Sequence, residues 1–357
     1  MAVKASGNPL AFSEIETEFG QNSDRDLGEY RVSQTVGGLS SQPLDTSIPQ
    51  SGAIKFSDFY SKRLNVVIDY HSGSTENRPS DARTKYQAGS TSGNRTVIGG
   101  FRDRISGNSS GSKVRIHVNK TIGSAVGNVN NCAVRTGSFE SGTVVSVEVG
   151  SSGAIYGAGG NGGEAGTSNS DPNGDNGGSG SSGLGVQFSG TTVINNGVIS
   201  AGYGGGGGGG FRRVEKEEMF SGPQYAAAGG GGGGGQGLPA GEGIDGGADG
   251  TATAGGNGGN GGEDGGRAHG GGGGGGGSNG TGGEGGNEND GTNGTSSSGG
   301  NGSAGTHSGS IEGENNVTGS GGSGGSNGAA IRRTSGITVN ITNNATISGS
   351  QTATGVS

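Results

Sequence analysis

Two carboxylate pairs have residue types suited to acid–base chemistry, Glu217-Glu218 and Glu263-Asp264. A glycosidase places two carboxyl groups on either side of the scissile bond and raises the pKa of one of them with an apolar surrounding. Both pairs lie in predicted loops without a flanking apolar pocket. The sequence therefore predicts no depolymerase and no other enzymatic activity.

Motifs for nucleotide and metal binding are equally incomplete. "GNSSGSKV" carries Ser112 where a phosphate-binding loop requires lysine. "GEGIDGGADG", which contains Asp245 and Asp249, is similar to calcium-binding repeats, but the nonapeptide period is not sustained. The single Cys132 excludes an intramolecular disulfide, and no Cys/His cluster has metal-ligand spacing. We expect neither a cofactor nor a metal ion.

Side chains suited to binding a macromolecule are concentrated between the glycine runs 204–210 and 229–235. The stretch "FRRVEKEEMFSGPQYAAA" combines aromatic, Met and Arg residues, the types that dominate binding hot spots. A loop held at both ends by a rigid scaffold loses little entropy on binding. The alternative is that its Phe and Met side chains fold back on the scaffold. The candidate binding residues are Tyr203, Phe211, Arg212, Arg213, Met219, Phe220 and Tyr225.

The composition limits what can position such a loop. Of 357 residues 93 are glycine, and only 25% are hydrophobic and 4% aromatic, which is too few for one large apolar core. Collagen is excluded because there is no unbroken Gly-X-Y period and only 7 Pro are present. The net charge of -8, without a basic stripe, argues against nucleic-acid binding.

Glycine recurs with a period of three, as in "GGNGGNGGE" from Gly255. A polyproline II-type helix has three residues per turn, so Gly-Gly-X leaves two bare edges on which neighbouring helices can pack. The X residues, mostly Asn, Glu and Ser, then face solvent, and the runs 204–210, 229–235 and 270–277 become interior rods. Several rods must pack together, because the net free energy of one hydrogen bond is smaller than the entropy cost of ordering one glycine residue. A disordered tail is the alternative.

The segment 1–62 is predicted to be a small N-terminal module, helical or irregular. "LAFSEIETEFG" pairs Ser13 with Glu16 as a capping box, and "IKFSDFY" echoes the pattern further on. Such a module buries little apolar surface. It either docks on a larger partner or packs its helices on each other and on the next region.

The rest of the chain is predicted to be β-rich. Residues 63–150 contain about six β-branched runs separated by Gly, Ser and Asn, typical of strands. Residues 151–357 form a glycine-rich domain in which a strand, a two-residue turn and a returning Ile recur. Asn196-Gly197 suits a type I′ hairpin with positive φ at both residues, and Ser152-Gly153 and Asn344-Ala345 hold equivalent positions. We predict a mainly β fold: an all-β middle region, then a polyglycine II-type helix sandwich with short β-hairpins.

Three stretches carry a family resemblance: "SGAIKFSDFY", "VEVGSSGAIYGAGGNGG" and "INNGVISAGYGGGGGGG". They resemble the glycine-rich tail-fibre and tail-tip proteins of tailed bacteriophages. The chain is similar to the receptor-recognising adhesins of T-even-like phages, in which loops between polyglycine II segments meet the host surface. The likeness covers most of residues 50–357 and is one of composition and short motifs. The long β region at 63–150 and the N-terminal helices depart from that pattern.

The resemblance implies a virion tail protein whose candidate binding residues contact a bacterial receptor, either a polysaccharide or an outer-membrane protein. It implies that residues 1–62 attach to other tail or baseplate proteins and that the glycine-rich domain is distal. A purely structural tail or baseplate component, with the lattice as a stiff spacer, is the alternative. Met1-Ala2-Val3-Lys4 opens no hydrophobic signal segment, which predicts assembly in the host cytoplasm. Monomeric and trimeric states are both left open.

Overall fold

The computed structural model describes residues 3–19, 27, 49, 52–62, 66–70, 91–92, 95–98, 113–126, 128–137, 139, 141–215, 224–286, 289–307 and 316–356. Within these residues one α-helix, α1 (Phe12–Phe19), and a 3-10 helix (Phe56–Phe59) accompany the strands. The prediction of a mainly β chain is therefore confirmed.

The strands in the first part of the chain are β1 (Val66–Tyr70), β2 (Thr91–Ser92), β3 (Arg95–Ile98), β4 (Lys113–Val118), β5 (Thr121–Ile122), β6 (Cys132–Arg135), β7 (Val144–Val149), β8 (Ala154–Tyr156), β9 (Ser182–Val186), β10 (Thr191–Asn195) and β11 (Val198–Ser200). The later strands are β12 (Arg212–Glu215), β13 (Gln224–Ala227), β14 (Glu263–Asp264), β15 (Ala268–His269), β16 (Thr306–His307), β17 (Val317–Thr318), β18 (Ile331–Arg333), β19 (Val339–Asn343), β20 (Thr346–Ser348) and β21 (Ala353–Thr354).

Four successive coils of chain form a three-sided parallel β-helix. The first side contains β4, β7, β10 and β19, the second β5, β8, β11 and β20, and the third β6, β9, β18 and β21. On each side every strand pairs in parallel with the strand of the next coil. The antiparallel β2 and β3 extend the first side beyond β1.

Aligned side chains fill the interior of the β-helix. The parallel register stacks Ile122, Ile155, Ile199 and Ile347 along the second side, one from each coil. The first three of these are fully buried. The same arrangement on the other two sides produces one continuous apolar core, in which inward-facing residues alternate with exposed ones.

The β-hairpins predicted at Ser152-Gly153, Asn196-Gly197 and Asn344-Ala345 are wrong, because the strands on either side of each turn lie in different sheets. β10 and β11 flank Asn196-Gly197 but lie on different sides of the β-helix, and neither turn residue has a positive φ. The turn is a corner between two sheets. The buried Asn195 amide holds it, donating to the Asn343 side chain at 2.8 Å and to the Thr346 carbonyl at 2.9 Å. Each strand therefore finds its partner in the next coil instead of across the turn.

The division into domains at residue 150 stays a prediction. Strands from both sides of that position, such as β7 and β10, are hydrogen-bonded neighbours in the same sheet. The glycine-rich segments leave the β-helix between its second and third sides. One segment, 157–181, separates β8 from β9, and another, 201–330, separates β11 from β18.

Backbone hydrogen bonds connect the glycine segments with a repeat of three residues. Along the run 204–210, the N–H groups of Gly205, Gly206 and Gly207 donate to three different segments, at Gly178, Gly233 and Gly300. The next three N–H groups repeat this order with Asp175, Gly230 and Ser303. The carbonyl groups of the run accept from three further segments, 160–166, 271–277 and 319–328. The run therefore has six hydrogen-bonded neighbours.

The runs 229–235 and 270–277 are surrounded in the same way, and apart from the half-buried Gly229 their residues are buried. Close packing leaves no room for side chains. A Cβ added to Gly206 would lie 1.9 Å from the carbonyl oxygen of Gly274. Backbone polar groups thus take the place that an apolar core has in other domains.

Asparagine side chains complete the rim of this lattice. The X residues of the Gly-Gly-X repeats are exposed as expected, yet their amide oxygens accept backbone N–H groups from the adjacent segment. Asn257 accepts from Thr281 at 3.0 Å and Asn301 from Gly324 at 2.9 Å. These oxygens satisfy donors that, at the edge, face no further glycine segment.

The N-terminal residues pack against the β-helix. Val3, Ile15 and Phe59 are buried in the same apolar cluster as the β-helix interior. This packing corresponds to the second alternative for the module, and docking on a tail protein stays a prediction.

The capping position of α1 differs from the prediction. The Glu14 carboxylate accepts the Ala11 N–H at 2.9 Å, because the helix begins at Phe12 instead of after Ser13. The Ala11 N–H and then the Lys4 ammonium lower the pKa of Glu14. Asp58 accepts the Lys55 N–H in the same way at 2.7 Å, as the sequence echo indicates.

Candidate functional site

The glycine segments have one end at the β-helix, here the proximal end, and one end away from it, the distal end. Segment 157–166 runs outward from β8 and segment 201–210 runs outward from β11. The two segments are parallel and in register along their length. The N–H groups of Gly160, Gly163 and Gly166 donate, in that order, to the carbonyl oxygens of Tyr203, Gly206 and Gly209. The Phe211 N–H donates to the Pro172 carbonyl at 2.8 Å. The chain reversals that follow segments 157–166 and 201–210 therefore both lie at the distal end.

The chain reversals at the two ends differ in residue type. The proximal reversals are short and carry no charged residue: 236–241 (QGLPAG), 251–254 (TATA), 278–281 (SNGT) and 295–298 (TSSS). The distal reversals carry charged residues in every case and aromatic residues in one: 167–173, 211–228, 244–247, 263–269, 286–290 and 305–318. The side chains able to recognise a partner are thus concentrated at the distal end.

Six short strands at the distal end form a platform. β12 lies between β13 and β17 in one antiparallel sheet, and β15 lies between β14 and β16 in another. A small cluster of Val214, Ala227 and Ala268, with Tyr225 packed against it, joins the two sheets. The name distal platform refers below to β12–β17.

The hairpin β12–β13 presents one face to solvent. Cross-strand pairing places Arg213 opposite Ala226 and Glu215 opposite Gln224. These four residues share the outer face, since the intervening Arg212 and Val214 are buried. The Gln224 side chain donates to the Glu215 carboxylate at 3.2 Å.

Tyr225 lies between the two sheets of the platform. The Arg267 guanidinium lies 5.7 Å from the centroid of the Tyr225 ring, a cation–π distance. A Cβ on Gly265 would come within 2.3 Å of the ring, so the glycine allows this close approach. Asp264 accepts the Ala226 N–H at 2.9 Å and fixes the second sheet against the first.

The other predicted binding residues differ in exposure. Tyr203 is buried at the proximal end, where its hydroxyl lies 2.7 Å from the Ser348 hydroxyl. Phe211 and Arg212 are buried at the base of the hairpin, 5% and 4% exposed. Arg213 and Tyr225 are half-buried, and Met219 and Phe220 lie outside the described residues.

The burial of Phe211 and Arg212 follows from their backbone contacts. Phe211 is hydrogen-bonded to Pro172 and Gly319, which brings two segments against it. Arg212 donates to the Val317 carbonyl at 3.4 Å, and burial lowers the pKa of its guanidinium. Within this chain both residues anchor the platform. Ligand contact by the seven predicted residues stays a prediction.

The pair Glu217-Glu218 lies outside the described residues, and the two aspartates considered for calcium binding accept backbone N–H groups. Asp245 accepts the Ala165 N–H at 3.0 Å and Asp249 accepts the Gly243 N–H at 2.8 Å, in the way that rim asparagines do. In the part of the chain that the structure describes, no group of three His, Cys, Asp or Glu residues could hold a metal ion. No helix of that part is long and apolar enough to cross a membrane.

Comparison with known families decides what kind of protein carries this platform. The model of the phage tail fibre adhesin Gp38 family matches residues 84–270, more than half of the chain. The chain belongs to the Gp38 family of phage tail fibre adhesins. Comparisons with curated proteins and with solved structures gave no match. The predicted resemblance is confirmed, and the adhesin is a component of the virion tail with a receptor-binding role.

The matched part of the adhesin extends from the antiparallel strands beside β1, through the first coils of the β-helix, to the start of the last all-glycine run. It includes the hairpin β12–β13 and the reversal 263–269 of the distal platform. Arg267, which sequence reasoning missed, lies in this part. The signal that could have revealed it is the interruption of the Gly-Gly-X period by "EDGGRAH".

Proposed function

We propose that the adhesin contacts its host receptor through the distal platform, which the glycine segments hold in a fixed position. The observation that supports this most strongly is the contrast between the proximal and distal ends of the glycine segments. Charged and aromatic reversals occur at the distal end, and the proximal turns are short and uncharged. A scaffold without a recognition role has no reason to differ in this way.

In this proposal the glycine segments form a polyglycine II-type sandwich. The three-residue repeat of hydrogen bonds to successive neighbours is what helices with three residues per turn require. Such a sandwich is rigid, because interior runs have no side chains to reorient and their buried backbone groups are paired. A rigid base lowers the entropy cost of presenting a loop to a receptor.

The remaining parts of the chain complete the proposal. Residues 1–62 attach the adhesin to the tail, residues 63–150 belong to a β-rich spacer, and residues 151–357 contain the glycine domain with its displayed loops. The β-helix joins these parts, since its strands come from both sides of residue 150, its interior shares one apolar cluster with the N-terminal module, and the glycine segments leave it between its strands.

Replacing Arg213 with alanine tests the proposal at one position on the outer face of the hairpin. Arginine at the centre of an interface is a frequent hot spot, so Arg213→Ala is expected to weaken host-cell binding about 30-fold, or about 2 kcal/mol. The measurement is the binding of the labelled, purified adhesin to host cells over a range of concentrations.

Arg333→Ala is the matched control for that substitution. Arg333 is also a half-buried arginine on a strand, but it lies on the third side of the β-helix. Its removal should leave host-cell binding unchanged. Equal binding by the two variants, with both proteins folded, would argue against receptor contact through the outer face of the hairpin.

A further inference from the structure

Asparagine followed by glycine is the sequence most prone to spontaneous deamidation, because glycine offers no side chain to hinder the reaction. The backbone nitrogen of the glycine attacks Cγ of the asparagine and a new N–Cγ bond forms. The Cγ–Nδ2 bond breaks, and ammonia leaves with the proton of the backbone nitrogen. Water then opens the cyclic imide to aspartate or isoaspartate.

The glycine domain contains many such pairs. Eight of them lie at the rim of the lattice and are called the locked pairs here. They begin at Asn161, Asn173, Asn176, Asn257, Asn260, Asn293, Asn301 and Asn327.

Both reacting groups of each locked pair are held by neighbouring segments. The asparagine oxygen accepts a backbone N–H at 2.8 to 3.1 Å. The N–H of the following glycine donates to a carbonyl of another segment, as Gly302 does to Gly322 at 2.9 Å and Gly294 to Gly280 at 2.7 Å. Attack requires that Cγ rotate toward this nitrogen and that the nitrogen lose its proton, so both hydrogen bonds must break first.

One further pair, Asn279-Gly280, is held differently. It lies in a proximal turn with φ of +75° at Asn279, and the Asn279 side chain is exposed. In the described part of the chain that side chain forms no hydrogen bond, and only the Gly280 N–H is engaged, with the Gly276 carbonyl at 2.9 Å.

We propose that the lattice protects its locked pairs from deamidation and leaves Asn279-Gly280 as the modification site of the folded glycine segments. An isoaspartate adds one carbon to the main chain. In a locked pair it would displace the three-residue repeat on which the hydrogen bonds depend.

Peptide mapping of one tryptic fragment tests this proposal. Cleavage after Arg267 and Arg332 releases residues 268–332, which contain Asn279 and the locked pairs at Asn293, Asn301 and Asn327. The adhesin is incubated at mildly alkaline pH, either folded or in guanidinium. Fragmentation mass spectrometry then follows aspartate and isoaspartate at each position. Short synthetic peptides with the same Asn-Gly contexts correct for the effect of guanidinium on the chemistry.

In the folded adhesin we expect Asn279 to react at least about tenfold faster than the three locked pairs, because these must break one more hydrogen bond. In guanidinium all four should react at similar rates. Locked pairs that react as fast in the folded as in the unfolded adhesin would overturn the proposal. So would a folded adhesin in which Asn279 reacts no faster than the locked pairs.

Discussion

Replacing Gly206 with alanine is expected to lower the free energy of unfolding by about 3 kcal/mol, the upper end of the range for overpacked interiors. Gly206 is buried in the central run, and its added Cβ would lie 1.9 Å from the Gly274 carbonyl oxygen. That oxygen belongs to backbone that is itself hydrogen-bonded to Gly233. Neither segment can move without breaking bonds to further neighbours. Denaturant unfolding followed by circular dichroism measures the loss.

Gly262→Ala is the matched control, since it adds the same methyl group elsewhere in the lattice. Gly262 is exposed, its φ is not positive, and its added Cβ would lie 3.4 Å from the Ala228 oxygen, an ordinary contact. We expect no loss, or a gain of about 0.4–1 kcal/mol from the reduced entropy of the unfolded chain. Equal effects of the two substitutions would show that interior packing of the glycine runs does not determine stability.

Removal of residues 216–223 is expected to weaken host-cell binding at least about a hundredfold, because it removes Met219 and Phe220, two residue types that are enriched in the cores of protein interfaces. Glu215 and Gln224 are direct cross-strand partners. Residues 216–223 can therefore be replaced by Asn-Gly, the preferred two-residue turn, with the ladder of β12 and β13 retained.

The control for this deletion is made at the proximal end. Replacing residues 251–254 (TATA) by another short polar turn changes a chain reversal without touching the platform. Host-cell binding should remain unchanged. Circular dichroism and thermal unfolding must show that both variants are folded. A folded variant without residues 216–223 that binds like the wild type would shift receptor contact to another distal reversal.

The glycine lattice could be anticipated because its pattern is local. A period of three is visible within a few residues, as in "GGNGGNGGE", and a run without side chains, such as 204–210, can only lie where neighbours approach closely. The exposure of the X residues follows from the same period. Their second role was missed, because whether an Asn oxygen reaches the next segment depends on the spacing between segments.

The β-helix could not be anticipated from single turns. The repeated stretches around Ser152, Asn196 and Asn344 were recognised, but a strand, a turn and a strand are typical of a hairpin as well as of a corner. The partners that decide between the two lie far apart in sequence. β10 and its neighbour β19 are separated by the whole segment 201–330.

The exposure of the predicted binding residues could not be derived from the sequence either. Phe211 and Arg212 have the composition of a binding loop, yet contacts with Pro172, Val317 and Gly319 bury them. Those contacts come from two other distal reversals. Residue type predicts which loop carries recognition chemistry, and only the tertiary neighbours show which of its described side chains face outward.

Photo-crosslinking from the two ends of the glycine segments shows most directly whether the receptor is contacted through the distal platform. Benzoylphenylalanine is introduced in place of exposed Gln224 on the distal platform or in place of exposed Thr253 in a proximal turn. Each adhesin is irradiated while bound to host cells. If the distal platform contacts the receptor, covalent adducts with a host-surface component form from position 224 and none form from position 253. Adducts from position 253 alone would contradict receptor contact through the distal platform.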